Sequence, residues 1–165
     1  MESGNLLNML EARHELEIIV ASLAAKRRNK LDLNKMKETL HKMKSNISNP
    51  KEYMNSELLF HKAITKASKN PVITEFMEML YQQLEGVRRA VYESLSNNLS
   101  KLEIDSNIDG SERWAPSSPS FLEKNFEGHE LIYKYILKRD VENAKKAMEE
   151  HMQLQYFKKI LGTPI

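Results

Sequence analysis

Residues 128–152, GHELIYKYILKRDVENAKKAMEEHM, indicate the architecture of the whole chain. Apolar side chains recur at helical spacing on both sides of a short polar turn, Lys138-Arg139-Asp140. Asp140 is a favourable N-cap for the helix that begins after it. The stretch therefore predicts two antiparallel helices joined by a tight turn, with one histidine on each helix.

The rest of the chain shows the same helical pattern. Further amphipathic helices are predicted at about 6–28, at 31–47, from Pro50 onward and at roughly 71–96. The segment 97–119 mixes Asn, Ser, Asp, Gly and Pro, and is predicted to be a long loop. The last two helices follow it, the final one running from Asp140 to about residue 161. The predicted fold class is all-α, an antiparallel bundle of about six to seven helices that forms a single domain over 1–165.

Composition excludes several kinds of protein. Hydrophobic residues make up 41% of the 165 residues and charged residues 29%, which suits one domain with a real core. The formal net charge of +2 is too small to require a nucleic-acid or membrane partner. Cysteine is absent, so disulfides and thiolate metal sites are excluded. No apolar run approaches the ~20 residues that cross a bilayer. We expect a soluble, cytoplasmic protein.

The five histidines divide according to helical face. His14 and His41 fall off the apolar stripes of their helices, and we predict that both are surface residues. His61, His129 and His151 continue the apolar stripes of theirs, and we predict that they point inward. The sequence thus predicts three imidazoles inside the bundle.

Spacing predicts that these imidazoles meet. His129 and His151 lie 22 residues apart, centred on residue 140, which is the turn itself. Residues equidistant from the turn of an antiparallel hairpin lie at the same height. In SELLFHKAI, residues 56–64, Glu57 and His61 are four residues apart and share a helical face. On spacing alone, a hydrogen-bonded polar core and a shared metal ion explain the pattern about equally well.

The donor set limits the kind of metal site. Three imidazoles and one carboxylate suit Zn²⁺, Ni²⁺, Mn²⁺ or Fe²⁺ and leave positions for water or a small anion. Di-iron bundles need several inward carboxylates. Glu57 is the only convincing inward carboxylate in the sequence, so we predict a site for one divalent transition metal.

Several stretches resemble one family of bacterial regulators. LLNMLEARHELEIIVASLAAKR resembles the opening helix of the effector-binding (FCD) domain of FadR-subfamily GntR transcription regulators, with Arg13, Leu16-Glu17 and its Ala-rich end. ELLFHKAITKASKNPVI resembles the Asp-x-x-Phe-His segment of that family and the Asn-Pro helix start after it. GHELIYKYI and AKKAMEEHM resemble its two C-terminal helices. The resemblance covers essentially the whole chain.

The resemblance implies an antiparallel, commonly dimeric, all-α bundle that binds a divalent metal through an Asp and three His. Carried over by position, the ligands are Glu57, His61, His129 and His151, with Glu57 in place of the usual Asp. Such regulators also carry an N-terminal winged helix-turn-helix, which this sequence lacks. Operator DNA is therefore expected to bind only through a domain outside this chain, and we interpret the chain as a fragment of a regulator.

We interpret the chain as the ligand-sensing and dimerisation domain of a metabolite-responsive regulator, not an enzyme. A small carboxylate is the expected effector, and Arg13, Tyr81 and Arg88 are candidate effector-binding residues. A metal-dependent hydrolase is one alternative, and it needs a general base beside the metal-bound water. A structural dimerisation bundle without metal is the other.

Overall fold

Six α-helices occupy the residues that the computed structural model describes, 3–102 and 119–152. Side chains are described for residues 6, 8–86 and 121–152. The helices are α1 (Ser3–Arg27), α2 (Lys30–Ser45), α3 (Pro50–Ala67), α4 (Pro71–Leu102), α5 (Pro119–Lys138) and α6 (Val141–His151). Strands do not occur in the described ranges, and the prediction of an all-α bundle is confirmed.

Local sequence signals fix where the helices begin. The Asn29 side chain accepts a hydrogen bond from the Asp32 backbone N–H and the Asp32 side chain accepts one from Asn29, a capping box that starts α2. Pro50 occupies the first turn of α3, as predicted. The Asp140 side chain accepts from the Asn143 backbone N–H at 3.2 Å and starts α6. The hairpin turn therefore lies where the sequence placed it.

Helix α4 is longer than the sequence indicated. It continues to Leu102, so the prediction that a loop begins at residue 97 is wrong for 97–102. Asn and Ser are weak helix formers, but each costs at most about 0.7 kcal/mol relative to Ala. Extending an existing helix adds a hydrogen bond per residue without a new nucleus, and this outweighs the poor local propensity. The rest of the predicted loop, 103–118, lies outside the described residues.

Helix α6 is shorter than predicted within the described chain. It ends at His151, and the backbone N–H of Met152 donates to the Met148 carbonyl at its C-terminus. The predicted continuation to about residue 161 lies outside the described residues. Within the described ranges, no helix combines the length and apolarity that a bilayer-crossing segment needs.

Helix α1 is the central element of the bundle. It packs against α3, α4, α5 and α6, while α2 covers α3 and α5 on the other side. The core between these helices is aliphatic and Met-rich, and its largest fully buried apolar side chains include Met36, Phe60, Ile64, Ile132, Ile136 and Met148. Each such side chain contributes about 1.5–3 kcal/mol of hydrophobic stabilisation. This core holds α3, α5 and α6 around α1.

Two arginines join the C-terminal ends of α1 and α5. Arg28 donates from Nε to the Ile136 carbonyl at 3.3 Å, and Arg139 donates from Nη2 to the Arg28 carbonyl at 3.1 Å. Arg139 has a φ of 59°, the left-handed conformation that turns the chain from α5 into α6. Because both cations satisfy carbonyls at the negative ends of helix dipoles, the hairpin is anchored to α1 in a fixed register.

Candidate metal centre

Four side chains from three helices converge inside the bundle. Helix α3 supplies Glu57 and His61, α5 supplies His129, and α6 supplies His151. One ligand atom from each of them lies within 4.8 Å of all the others. These are the four residues that the sequence singled out, and the structure brings them together.

The antiparallel hairpin explains why the two C-terminal imidazoles meet. The ring centroids of His129 and His151 are 4.0 Å apart, which agrees with their equal distance from the turn. The His61 ring lies 5.3 Å from the His129 ring and 5.5 Å from the His151 ring. The edge of Phe60 packs against the His129 ring at 5.3 Å and closes one side of the cluster.

The hydrogen bond of His129 fixes which of its ring nitrogens carries a proton. Its Nδ1 lies 2.8 Å from the backbone carbonyl oxygen of Asn125. A carbonyl oxygen only accepts, so Nδ1 carries the hydrogen and the neutral ring has its lone pair on Nε2. That lone pair points into the cluster, where Nε2 lies 3.3 Å from the Nε2 of His61.

The environment of His61 produces the same tautomer. His61 is fully buried, and its Nδ1 lies 3.0 Å from the carboxylate atom Oε2 of Glu17. The contact lacks hydrogen-bond geometry, and neither of these two atoms has a hydrogen-bond partner within the described part of the chain. A lone pair on Nδ1 would face the carboxylate oxygen, so the contact favours the tautomer with hydrogen on Nδ1 and the lone pair on Nε2. Two lone pairs therefore face each other across 3.3 Å, which is unfavourable unless a cation lies between them.

The spacing of the nitrogens fits a transition metal. Ligand nitrogens at about 2.0–2.1 Å from a tetrahedral ion are about 3.3–3.4 Å apart. The two Nε2 atoms of His61 and His129 have this separation. The donor set of three neutral imidazoles and one carboxylate also suits a divalent transition metal. The residues present therefore fit such an ion.

His151 is held neutral by its surroundings. Burial lowers its pKa well below the usual value of 6.5, and the adjacent His129 and His61 lower the pKa further. Its ring is nearly parallel to that of His61, with 24° between the planes. On the other side it contacts Gly128, where an added Cβ would lie only 3.0 Å from Nδ1. A neutral imidazole in a closely fitting position is the form that binds a metal.

Glu57 lies at the open edge of the cluster. Its side chain is 19% exposed, and Oε1 is 4.0 Å from Nε2 of His129. Glu57 and His151 are the partly buried members of the cluster, whereas His61 and His129 are buried.

The sequence reasoning missed a second inward carboxylate. The prediction that Glu57 is the only one is wrong, because Glu17 is fully buried. Its Oε1 accepts hydrogen bonds from Tyr81 Oη at 2.9 Å and from Arg13 Nε at 3.3 Å. Burial alone would raise the pKa of Glu17, but its neighbours His61, Arg13 and Tyr81 lower it. The detectable signal was its position on the inward face of α1, four residues after Arg13.

Of the three predicted effector-binding residues, two lie inside the bundle beside the cluster. Arg13 and Tyr81 are both buried, and the Arg13 guanidinium lies 5.7 Å from the centre of the Tyr81 ring. They adjoin the cluster through Glu17. Arg88 lies on α4, and its side chain is outside the described residues. The structure therefore brings two of the three together.

The two histidines predicted at the surface differ in their exposure to solvent. His41 is exposed, as predicted. His14 is only partly exposed, with its Nδ1 3.3 Å from Glu15 Oε1, so the prediction that it is a surface residue is only partly right. It lies directly after Arg13, whose buried guanidinium keeps this part of α1 against the bundle. Neither histidine belongs to the cluster.

Comparison with known protein families identifies the family of this bundle. The family model described as the FCD domain matches residues 8–154. The chain belongs to the FCD domain family. The predicted resemblance to the FCD domain of GntR-type regulators is confirmed. Its six described helices are an FCD bundle.

Curated relatives of this FCD domain are transcriptional regulators by name. The HTH-type transcriptional regulator LutR of Bacillus subtilis is 26% identical over 92% of this chain and 61% of its own length. The Uxu operon transcriptional regulator of Escherichia coli is 26% identical over 88% of this chain and 50% of its own length. The solved structure of E. coli McbR/YncC superposes with a TM-score of 0.68 at 21% identity, over 98% of this chain and 66% of that one. The chain thus spans about half to two thirds of these proteins.

Proposed function

We propose that this FCD domain is the metabolite-sensing and dimerisation domain of a transcription regulator, and that it binds one divalent transition metal through Glu57, His61, His129 and His151. The observation that carries the proposal is the 3.3 Å approach of two imidazole Nε2 atoms whose Nδ1 atoms both face acceptors. The relatives named as regulators support the regulatory role. In the whole regulator, operator DNA binds through a winged-helix domain outside this chain, in the cytoplasm.

The charge of the loaded centre favours an anionic effector. Three neutral imidazoles and the Glu57 carboxylate leave a net +1 on a divalent ion. Arg13 and Glu17, which are in contact behind His61, cancel each other. A small carboxylate neutralises the remaining charge and replaces bound water. A hydroxy acid adds a second donor oxygen and chelates the ion, so we propose hydroxy acids as the effector class.

Arg13, Tyr81 and Arg88 remain the proposed effector-binding residues. Burial would lower the pKa of Arg13, but the nearby groups Glu17, Tyr81 and Glu57 raise it, so Arg13 is cationic at any physiological pH. Arg13 Nε contacts Glu17, and its other N–H groups are proposed to donate to the effector carboxylate group that does not touch the metal.

We propose a homodimer in which α4 contributes to the interface. Val72, Phe76 and Met79 follow each other at helical spacing on the outer face of α4, and they are 67%, 56% and 49% exposed. A stripe of large apolar side chains is typical of a protein interaction surface. Light scattering at micromolar concentration should give the mass of two chains, and Phe76→Glu should shift it toward one. A wild-type monomer mass would contradict the proposed dimer.

Catalysis is not part of the proposal. A metal-dependent hydrolase needs a general base beside the metal-bound water. Glu17, which is buried, contacts the Nδ1 side of His61, away from the atom that faces His129. Glu127, Glu130, Glu149 and Glu150 are exposed. The described residues therefore offer no free base to the centre, and binding is the supported role.

Calorimetric titration of metal-loaded and metal-stripped protein tests the sensing mechanism. Lactate-like and citrate-like acids should bind the loaded protein more tightly than simple monocarboxylates do. They should bind the stripped protein at least about tenfold more weakly, a difference of about 1.4 kcal/mol. Equal binding of the best acid to both forms would show that the metal is structural only, and the proposed sensing mechanism would be abandoned.

A further inference from the structure

Glu17 is a carboxylate that lies inside the bundle among polar side chains. It is fully buried, and its two oxygens have different partners. Oε1 accepts from the Arg13 guanidinium and the Tyr81 hydroxyl, whereas Oε2 lies 3.0 Å from His61 Nδ1. Burying a carboxylate is costly unless it is paired and hydrogen-bonded. The arrangement therefore has three polar groups, from three helices, around one carboxylate.

The contacts on Oε1 hold the carboxylate in one orientation. Arg13 lies one helical turn before Glu17 on α1, while Tyr81 reaches it from α4. The Tyr81 hydroxyl lies 3.1 Å from Thr65 Oγ1 on α3, and the single Thr65 hydroxyl hydrogen is donated either to it or to the His61 carbonyl at 3.0 Å. Because both Tyr81 and Thr65 are buried, this chain of contacts is protected from water. Oε2 is thereby directed at the His61 ring.

We infer that Glu17 is a positioning residue for the metal centre, which holds His61 in the tautomer with hydrogen on Nδ1 and its lone pair on Nε2. The inference rests on the proposed function, since His61 is one of the proposed ligands. A metal-binding histidine commonly donates its other ring N–H to a carboxylate or a carbonyl, which fixes the ring and raises its basicity. Here Glu17 Oε2 lies 3.0 Å from His61 Nδ1, and the Asn125 carbonyl oxygen lies 2.8 Å from His129 Nδ1.

The first experiment needs neither metal nor a variant. Long-range ¹H–¹⁵N correlation spectra of the metal-free protein distinguish protonated from unprotonated ring nitrogens of each assigned histidine. His61 should have hydrogen on Nδ1 and none on Nε2. A metal-free wild type in which His61 has its hydrogen on Nε2 would overturn the inference.

The second experiment compares Glu17→Gln with Glu78→Gln. Glu78 is a surface carboxylate that pairs with Lys62, the neighbour of His61, at 2.9 Å, so its variant removes a nearby charge without touching the ring. Zn²⁺ affinity, measured by competition with a chelator, should fall about 10- to 100-fold in Glu17→Gln. It should change less than threefold in Glu78→Gln. The His61 tautomer should become mixed only in Glu17→Gln, and Glu17→Asp, which keeps the carboxylate, should recover part of the affinity.

Two results separate this inference from its alternatives. Unchanged Zn²⁺ affinity and an unchanged His61 tautomer in a folded Glu17→Gln protein would reduce Glu17 to a packing role and overturn the inference. If Glu17→Gln does not fold, Tyr81→Phe is the second variant, because it removes one contact from Glu17 Oε1. It should also lower Zn²⁺ affinity, by a smaller factor. Unchanged Zn²⁺ affinity in Tyr81→Phe would contradict the inference. If the wild type binds no metal, the proposed function fails, while the tautomer of His61 still decides the role of Glu17.

Discussion

Replacing Gly128 by alanine tests how tightly the centre is built. An added Cβ would lie 3.0 Å from Nδ1 of His151. A Cβ contact this short is rare, so the His151 ring must move by a few tenths of an ångström. Ligand constellations are held within about 0.5 Å, so this movement uses up most of the tolerance. We therefore expect Gly128→Ala to weaken metal binding about tenfold, which corresponds to about 1.4 kcal/mol.

Gly86 provides the matched control. It also lies in a helix, but an added Cβ there meets nothing within 4 Å. Gly86→Ala should stabilise α4 by about 0.5–1 kcal/mol through the helix propensity of alanine. At about 2–4 °C per kcal/mol, the melting temperature should rise by roughly 1–4 °C with unchanged metal affinity. Chelator competition and thermal melting measure both variants. Wild-type metal affinity in Gly128→Ala would refute the argument that the contact with Gly128 positions His151.

Three further predictions concern the ligands, pH and the support of α5. His61→Ala should reduce metal affinity sharply by chelator competition, whereas the exposed His41→Ala should not, and equal losses would show that the sorting of histidines is wrong. The pKa of His151 is depressed in the folded metal-free protein, so the unfolded chain binds that proton more readily. Chemical denaturation should accordingly show stability falling as the pH drops below about 6.5, and His151→Gln should reduce this loss. Tyr53→Phe removes hydrogen bonds to the Leu122 carbonyl and to Asn125 Oδ1, and should cost about 1–2 kcal/mol in the same denaturation assay.

The hairpin and its histidines could be predicted from the sequence because the information is local. The polar turn ending in Asp140 fixes the register of α5 and α6, and the register places His129 opposite His151. The apolar periodicity around His61 likewise gives its inward direction. Helical geometry converts spacing directly into position, so no tertiary knowledge was needed for these residues.

Glu17 could not be recognised in the same way because its role depends on tertiary contacts. In sequence, Arg13 and Glu17 share the inward face of α1, but an Arg–Glu pair at i and i+4 is usually an exposed ion pair. Only the folded bundle brings His61 from α3 and Tyr81 from α4 to the two oxygens. The same limit applies to Gly128, whose closeness to His151 depends on the separation of α5 and α6.

Metal content measured after purification under metal-replete conditions tests the central claim most directly. Elemental analysis should find about one divalent transition metal per chain. Chelation should remove the metal and lower the melting temperature, because a ligand that binds only the folded state stabilises it. A folded protein that retains no metal after such a purification would contradict the account, since the facing Nε2 atoms of His61 and His129 would then be accommodated without an ion.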